Sequence, residues 1–121
     1  MPTLLVAEDD PQVLELVTRI LGEGGYDVIA ARDGREAWAM ILRDTRPVDL
    51  VLADVVMPQM TGTELAARIA AKMPDLPIVL MSGFTSDDLA RRGLVLSHGR
   101  LLTKPFERAE LLDLIGQLLP A

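Results

Sequence analysis

The residue whose position most suggests chemistry is Asp54, a carboxylate that ends a run of apolar residues over 50–53. Such a run is typical of a strand that is buried on both faces of a parallel sheet. Pro58 and Gly62 then turn the chain, and a helical pattern starts at Thr63. In open parallel sheets, ligands bind at the carboxyl ends of the strands, where this acid stands. For a single Asp, the capping of a turn is the alternative role.

Four other polar residues follow apolar segments in the same way: Glu8 and Asp9 after the first, Ser82 after the fourth and Lys104 after the fifth. Parallel strands end at a common edge of their sheet, so three carboxylates, one hydroxyl and one ammonium group are expected to meet there. Each residue alone also fits the first turn of a helix or a loop. Their joint placement at strand ends favours a functional site.

The charges of this predicted cluster do not balance, because three carboxylates face one ammonium group. Two like charges about 5 Å apart repel by roughly 3 kcal/mol at an effective dielectric constant near 20. A divalent cation restores neutrality, and hard oxygen ligands with room for water suit Mg²⁺. Zinc is not expected, because the chain has no cysteine and its one histidine, His98, is predicted to lie on a solvated loop.

A metal ion beside a strand-end carboxylate suits phosphoryl transfer. In that chemistry Asp54 attacks the phosphorus atom in line, while Mg²⁺ and Lys104 neutralise the equatorial oxygens. Ser82 can donate a hydrogen bond to the same group. The chain contains neither GxxxxGK[ST] nor GxGxxG, so nucleotide binding by those loops is not expected. The phosphoryl donor must therefore come from elsewhere.

The elements that must position these residues alternate between strands and helices. Strands are predicted over 4–7, 26–30, 49–53, 78–81 and 101–103. Helical patterns begin at Pro11 behind an Asp10 cap and recur around Ala37, Leu65, residues 86–92 and Leu111. This alternation predicts an α/β fold, a doubly wound five-stranded parallel sheet of the flavodoxin-like (βα)5 type. The strand order 2-1-3-4-5 is favoured because the second strand pattern suits an edge.

Composition limits the classes of protein. The 121 residues suffice for one compact domain, 1–121, and are too few for two. A formal net charge of −6 disfavours nucleic acid or an anionic membrane as a direct partner. No apolar run approaches the roughly 20 residues of a membrane span, and the N-terminus lacks the features of a signal peptide. No membrane insertion is predicted, and a cytoplasmic location is expected.

In these motifs the chain resembles the receiver domain of two-component response regulators. Residues 54–62, DVVMPQMTG, match the family's phosphoacceptor motif D-x-x-M-P-x-M-x-G. Residues 6–11 resemble the acidic doublet that follows the first strand, 81–83 the switch hydroxyl, and 104–106 the lysine motif. The resemblance covers nearly the whole chain.

The resemblance implies a phosphorelay domain in which Asp54 accepts a phosphoryl group from a sensor histidine kinase or a histidine phosphotransfer protein. It implies that Asp9, Asp54 and the backbone carbonyl of Val56 ligate Mg²⁺. Glu8 then acts through water, and Lys104 pairs with the phosphoryl group. Such a domain is a signalling module and not an enzyme, since it catalyses only its own phosphorylation and dephosphorylation. A dimer that depends on phosphorylation is a further expectation.

Two features depart from the common receiver pattern. Leu101 stands where many receivers have Tyr or Phe, so a rotating aromatic ring is not expected to read out the switch. The segment 91–102 is more similar to receivers that are fused to hybrid sensor kinases. How the switch is read out is therefore not set by the family pattern.

Two other functions stay open at this point. One is a Mg²⁺-dependent aspartyl-phosphate hydrolase, but Val56 stands where hydrolases of the haloacid dehalogenase type carry a second acid. The other is a pseudo-receiver that is not phosphorylated and only binds partners. Such a module is expected to have lost one of the acids or the lysine, and this chain keeps them all.

Overall fold

Strands and helices alternate along the computed structural model, which describes residues 1–43, 47–94 and 99–119. Its strands β1 to β5 are Thr3–Ala7, Asp27–Ala31, Leu50–Asp54, Ile78–Ser82 and Arg100–Thr103. Its helices α1 to α5 are Pro11–Glu23, Gly34–Arg43, Gly62–Lys72, Ser86–Arg91 and Arg108–Leu118. Each predicted element is present, with bounds that differ by a few residues. His98, predicted on a solvated loop, lies outside the described residues.

The five strands form one parallel sheet in the order β2-β1-β3-β4-β5. The predicted fold class and strand order are therefore confirmed, with β2 at an edge. Along the sheet Ala7 pairs with Ala53, and Ser82 pairs with Thr103. Because the central strands end at nearly the same level, the residues that follow them emerge at one edge of the sheet.

Apolar residues cover both faces of the sheet. On one face, inward residues of β1, β3 and β4 pack against α2, α3 and α4 through Ala37, Leu65 and Leu89. On the other face, the alternate residues of the same strands pack against α1 and α5 through Val17 and Leu111. Burial of each large side chain contributes roughly 1.5–3 kcal/mol, so the central strands are rigid supports for whatever their ends carry.

Side-chain caps fix the points at which α1 and α3 begin, close to the edge of the sheet where the strands end. Asp10 Oδ1 accepts a hydrogen bond of 2.9 Å from the Gln12 amide, directly before Pro11. Thr61 Oγ1 accepts one of 3.2 Å from the Glu64 amide. The Glu64 carboxylate in turn accepts a hydrogen bond of 3.3 Å from the Thr61 hydroxyl. These caps shorten and order the loops between the strand ends and the helices.

The loop between β3 and α3 is folded tightly against the end of β3. A Cβ atom on Gly62 would lie 2.9 Å from the Asp54 carbonyl carbon and from Val55 Cα, and closer still to the Asp54 carbonyl oxygen. The Gly62 amide also donates to the Val55 carbonyl at 2.8 Å. Glycine is therefore required here by the close approach of two backbone segments.

We expect Gly62→Ala to lower the free energy of unfolding by about 1–3 kcal/mol, because the added methyl group forces apart the backbone that carries Asp54. Gly22→Ala is the matched control, since a Cβ atom there meets nothing within 4 Å and Gly22 lies in α1. That control should gain about 0.5–1 kcal/mol through its higher helix propensity. Urea denaturation measures both, and a Gly62→Ala variant as stable as the parent contradicts the tight packing of this loop.

Candidate functional site

Four strand ends bring the residues predicted from the sequence together at one edge of the sheet. Glu8 and Asp9 follow β1, Asp54 and Ser82 end β3 and β4, and Lys104 follows β5. Carboxylate oxygens of Glu8, Asp9 and Asp54 all lie within 4.8 Å of one another. Lys104 Nζ lies 2.7 Å from Glu8 Oε1 and 3.5 Å from Asp54 Oδ2. Three carboxylates thus surround one ammonium group.

The three carboxylates differ in their access to solvent. The Glu8 side chain is fully buried, and its oxygens accept from Lys104 and, at 3.3 Å, from the Asp10 amide. The Asp54 side chain is 14% exposed, while Asp9 is exposed. Glu8 is therefore engaged inside the protein, whereas Asp54 and Asp9 remain reachable by an incoming group or ion.

The electrostatics of the site disfavour its surplus of negative charge. Burial raises the pKa of Glu8 above its ordinary value; the Lys104 hydrogen bond opposes this effect and the neighbouring Asp54 carboxylate adds to it. Loss of solvation raises the pKa of Asp9 too, and the adjacent Glu8 adds to the shift. Burial acts to lower the pKa of Lys104, but the Glu8 hydrogen bond and the Asp54 and Glu8 charges outweigh it and raise that pKa. The site therefore favours added positive charge.

A magnesium ion fits this donor set. Mg²⁺ takes oxygen ligands and keeps several waters, so it needs only a few carboxylates at a partly open position. Asp9 and Asp54 meet that description, and their oxygens lie within 4.8 Å of each other and of Glu8. Val56, whose backbone carbonyl the family resemblance adds to the ligands, lies two residues beyond Asp54 and is 48% exposed.

Ser82 is buried at the end of β4, where its side chain bonds to the following loop. Its Oγ accepts a hydrogen bond of 2.9 Å from the Phe84 amide. A hydroxyl that accepts in this way keeps its own proton for donation elsewhere. The Lys104 amide donates to the Ser82 carbonyl at 2.7 Å, which ties the ends of β4 and β5 together.

Sequence reasoning missed two features of this site. It assigned Lys104 to a phosphoryl group and did not predict the direct ion pair with Glu8, which joins residues 96 positions apart. It also gave Phe84 no contact with Ser82. In many turns the oxygen of a serine hydroxyl accepts a hydrogen bond from the amide two residues later. This tendency was the only local signal for the contact of Ser82 with Phe84.

Comparisons with known proteins agree with this geometry. The sequence profile of the response regulator receiver domain family matches residues 4–116. The response regulator receiver protein CpdR from Brucella abortus is 33% identical over 121 residues, which cover 100% of this chain and 99% of CpdR. The response regulator GtcR from Aneurinibacillus migulanus is 34% identical over 108 residues. That match covers 89% of this chain and 43% of GtcR, so the chain spans less than half of this relative.

A solved structure extends the comparison to three dimensions. The response regulator TrrA from Thermotoga maritima, solved in complex with Mg²⁺ and BeF, has a TM-score of 0.87 at 29% identity. The match covers 98% of this chain and 100% of TrrA. The chain therefore belongs to the response regulator receiver domain family, and the predicted family is confirmed. Within the described ranges, none of the helices combines the length and apolarity that crossing a bilayer requires.

We expect Asp9→Asn to abolish stabilisation by Mg²⁺ without weakening the fold. The raised pKa of Asp9 means that its folding contribution is present below the ordinary aspartate pKa and is lost as the pH rises through the folded-state value. At neutral pH in EDTA the variant should therefore be as stable as the parent or more stable. Thermal unfolding with and without Mg²⁺ measures both effects.

Asp10→Asn is the control for that experiment, because it makes the same charge change one residue later. Asp10 caps α1, and Asn caps a helix about as well as Asp. The control should keep the Mg²⁺ response of the parent. An Asp9→Asn variant that retains the full Mg²⁺ response contradicts a ligand role for Asp9.

Lys104→Met should lower the free energy of unfolding by about 1–3 kcal/mol, because it leaves the buried Glu8 carboxylate without its ionic partner. Adding Glu8→Gln should restore part of that loss, since a neutral side chain tolerates burial better. Urea denaturation in EDTA measures the single and double variants. If the double variant is no more stable than Lys104→Met alone, the ion pair is not what holds these two residues together.

Proposed function

We propose that this receiver domain accepts a phosphoryl group on Asp54 and changes its surface in response. One observation supports this above all. A partly exposed carboxylate at a strand end lies 3.5 Å from an ammonium group and within 4.8 Å of two further carboxylates. That arrangement combines a reachable nucleophile with the means to neutralise an incoming anion.

In the proposed reaction, an Asp54 carboxylate oxygen attacks the phosphorus atom of a phosphohistidine. The phosphorus–nitrogen bond breaks, and its electron pair stays on the imidazole nitrogen, which takes up a proton. Lys104 neutralises negative charge on the phosphoryl oxygens, and Ser82 donates a hydrogen bond to one of them. Val56 and Phe84, two residues beyond Asp54 and Ser82, are apolar and cannot orient a water molecule for hydrolysis.

Mg²⁺ is the proposed cofactor, held by Asp9, Asp54 and the Val56 carbonyl, with Glu8 acting through water. When bound, it supplies two positive charges that neutralise phosphoryl oxygens. The TrrA structure, a complex with Mg²⁺ and BeF, supports this assignment. The raised pKa values of Glu8 and Asp9 support it as well, because burial and the neighbouring carboxylates, which raise them, leave room for a cation to stabilise the charged forms.

The phosphoryl donor is proposed to be a sensor histidine kinase or a histidine phosphotransfer protein. The proposed location of the domain is the cytoplasm. Residues 1–121 would act as a single receiver domain, with the segment 91–102 favouring the type found in hybrid sensor kinases. Its catalysis would be limited to its own phosphorylation and dephosphorylation. A dimer that depends on phosphorylation belongs to the same proposal. The net charge of −6 argues against direct contact with nucleic acid.

Asp54→Asn should abolish phosphorylation, because it replaces the attacking carboxylate oxygen with an amide. Incubation with acetyl phosphate and Mg²⁺, followed by intact mass spectrometry, should detect one labile phosphoryl group on the parent and none on the variant. Asp49→Asn is the matched control. Asp49 precedes β3 at the opposite end of the strand that Asp54 ends, and its carboxylate accepts from the Thr3 amide.

The control should be phosphorylated like the parent. Phosphorylation of Asp54→Asn at the parent's rate would refute the assignment of the acceptor. A parent that takes up no phosphoryl group, while binding Mg²⁺, would favour an interaction module. Rapid release of phosphate with continued turnover of acetyl phosphate would instead favour a hydrolase.

A further inference from the structure

Phe84 directly precedes the residue that caps the start of α4, and its ring contacts the residue that ends this helix. Thr85, which follows it directly, caps the start of the helix by accepting from the Asp88 amide at 3.2 Å and donating its own amide to Asp88 Oδ2 at 3.4 Å. At the other end, the Arg92 guanidinium lies 4.0 Å from the centroid of the Phe84 ring. Because α4 has only six residues, the side chain of Arg92 at its end can reach back to the ring of Phe84 before its start.

Phe84 also contacts the functional site. Its amide donates to Ser82 Oγ at 2.9 Å, and Ser82 is buried. The half-buried ring packs against the apolar cluster that includes Leu89 of α4. One residue therefore contacts the site hydroxyl through its backbone and the far end of α4 through its ring.

The Arg92 backbone caps the C-terminal end of α4, so the position of its guanidinium group depends on the position of that helix. The Arg92 amide donates to the Leu89 carbonyl at 3.0 Å and to the Asp88 carbonyl at 3.3 Å. Leu101, in contrast, offers no ring, and its side chain packs against the same apolar cluster as Phe84. Phe84 is the aromatic residue that the described structure places between Ser82 and α4.

We propose that Arg92 is a positioning residue, which couples α4 to the Ser82 hydroxyl through the ring of Phe84. When Ser82 donates to a phosphoryl group on Asp54, its oxygen moves and the hydrogen-bonded Phe84 amide moves with it. The Arg92 contact then carries this displacement to the C-terminal end of α4. The trigger in this inference rests on the proposed function, whereas the resting contact does not.

The resting contact is tested by amide hydrogen exchange of the unphosphorylated protein, measured residue by residue with NMR. Arg92→Gln should raise the exchange rates of the Phe84 amide and of the α4 amides about two- to fivefold, the range that an exposed cation–π contact supplies. Arg92→Lys keeps a cation and should restore most of the protection. Arg91→Gln is the matched control, since Arg91 pairs with Asp88 at 3.0 Å on the same helix.

The control should leave the Phe84 amide unchanged. Phe84→Leu gives a second test, because it removes the ring but keeps the amide and the apolar packing. In that background Arg92→Gln should have no further effect on exchange. Equal effects of Arg92→Gln and Arg91→Gln on the exchange rate of the Phe84 amide would overturn the inference. An effect of Arg92→Gln that is as large in the Phe84→Leu background as in the parent would overturn it as well.

The coupling itself is tested by adding Mg²⁺ and beryllofluoride, which stands in for the phosphoryl group. In the parent protein, the Phe84 amide and residues 86–92 should change together. In the Arg92→Gln variant the exchange rate of the Phe84 amide should still change, while the change at residues 89–92 is lost. A full α4 response in this variant overturns the inference. If the parent shows no response anywhere, the proposed function fails, and the resting-state comparison still decides whether Arg92 positions Phe84.

Discussion

Electrostatic repulsion among three carboxylates governs what the edge of this sheet can bind. Oxygens of Glu8, Asp9 and Asp54 lie within 4.8 Å of one another, and each close pair repels by roughly 3 kcal/mol at an effective dielectric constant near 20. Lys104 offsets part of this repulsion through its contacts of 2.7 Å with Glu8 and 3.5 Å with Asp54. The repulsion that remains is offset by the apolar packing of the sheet, whose central strands are buried on both faces.

This imbalance also explains what the site can do. A cluster that is short of positive charge binds a divalent cation readily, and the bound cation in turn makes the approach of a phosphoryl group favourable. Val56 and Phe84, two positions beyond Asp54 and Ser82, are apolar, so we predict that the proposed phosphoryl group is hydrolysed slowly. If Asp54 is phosphorylated as proposed, the change reaches the rest of the domain through contacts with the site, and we propose that the hydrogen bond between Ser82 and Phe84 is one of them.

Much of this architecture could be predicted from the sequence, because the signals are local. Apolar runs closed by Pro or Gly predict the strands, and the Asp10–Pro11 pair predicts the start of α1, which the structure has at Pro11. The direct ion pair of Glu8 with Lys104 could not be predicted, since it depends on how a buried and a partly buried side chain pack across 96 positions. Gln59 adopts a positive φ of 73° with no glycine to announce it. The contact of Arg92 with Phe84 likewise follows from tertiary packing around α4 and not from any sequence period.

Chemical trapping can show whether Asp54 carries the phosphoryl group, as we propose. Borohydride reduces an aspartyl phosphate to homoserine, which peptide mass spectrometry locates along the chain. After treatment with acetyl phosphate and Mg²⁺, we predict homoserine at position 54 alone, and none when EDTA replaces Mg²⁺. Reduction at Asp9 or Glu8, or an unmodified Asp54 in a protein that has taken up phosphate, would contradict the role of Asp54 as the acceptor.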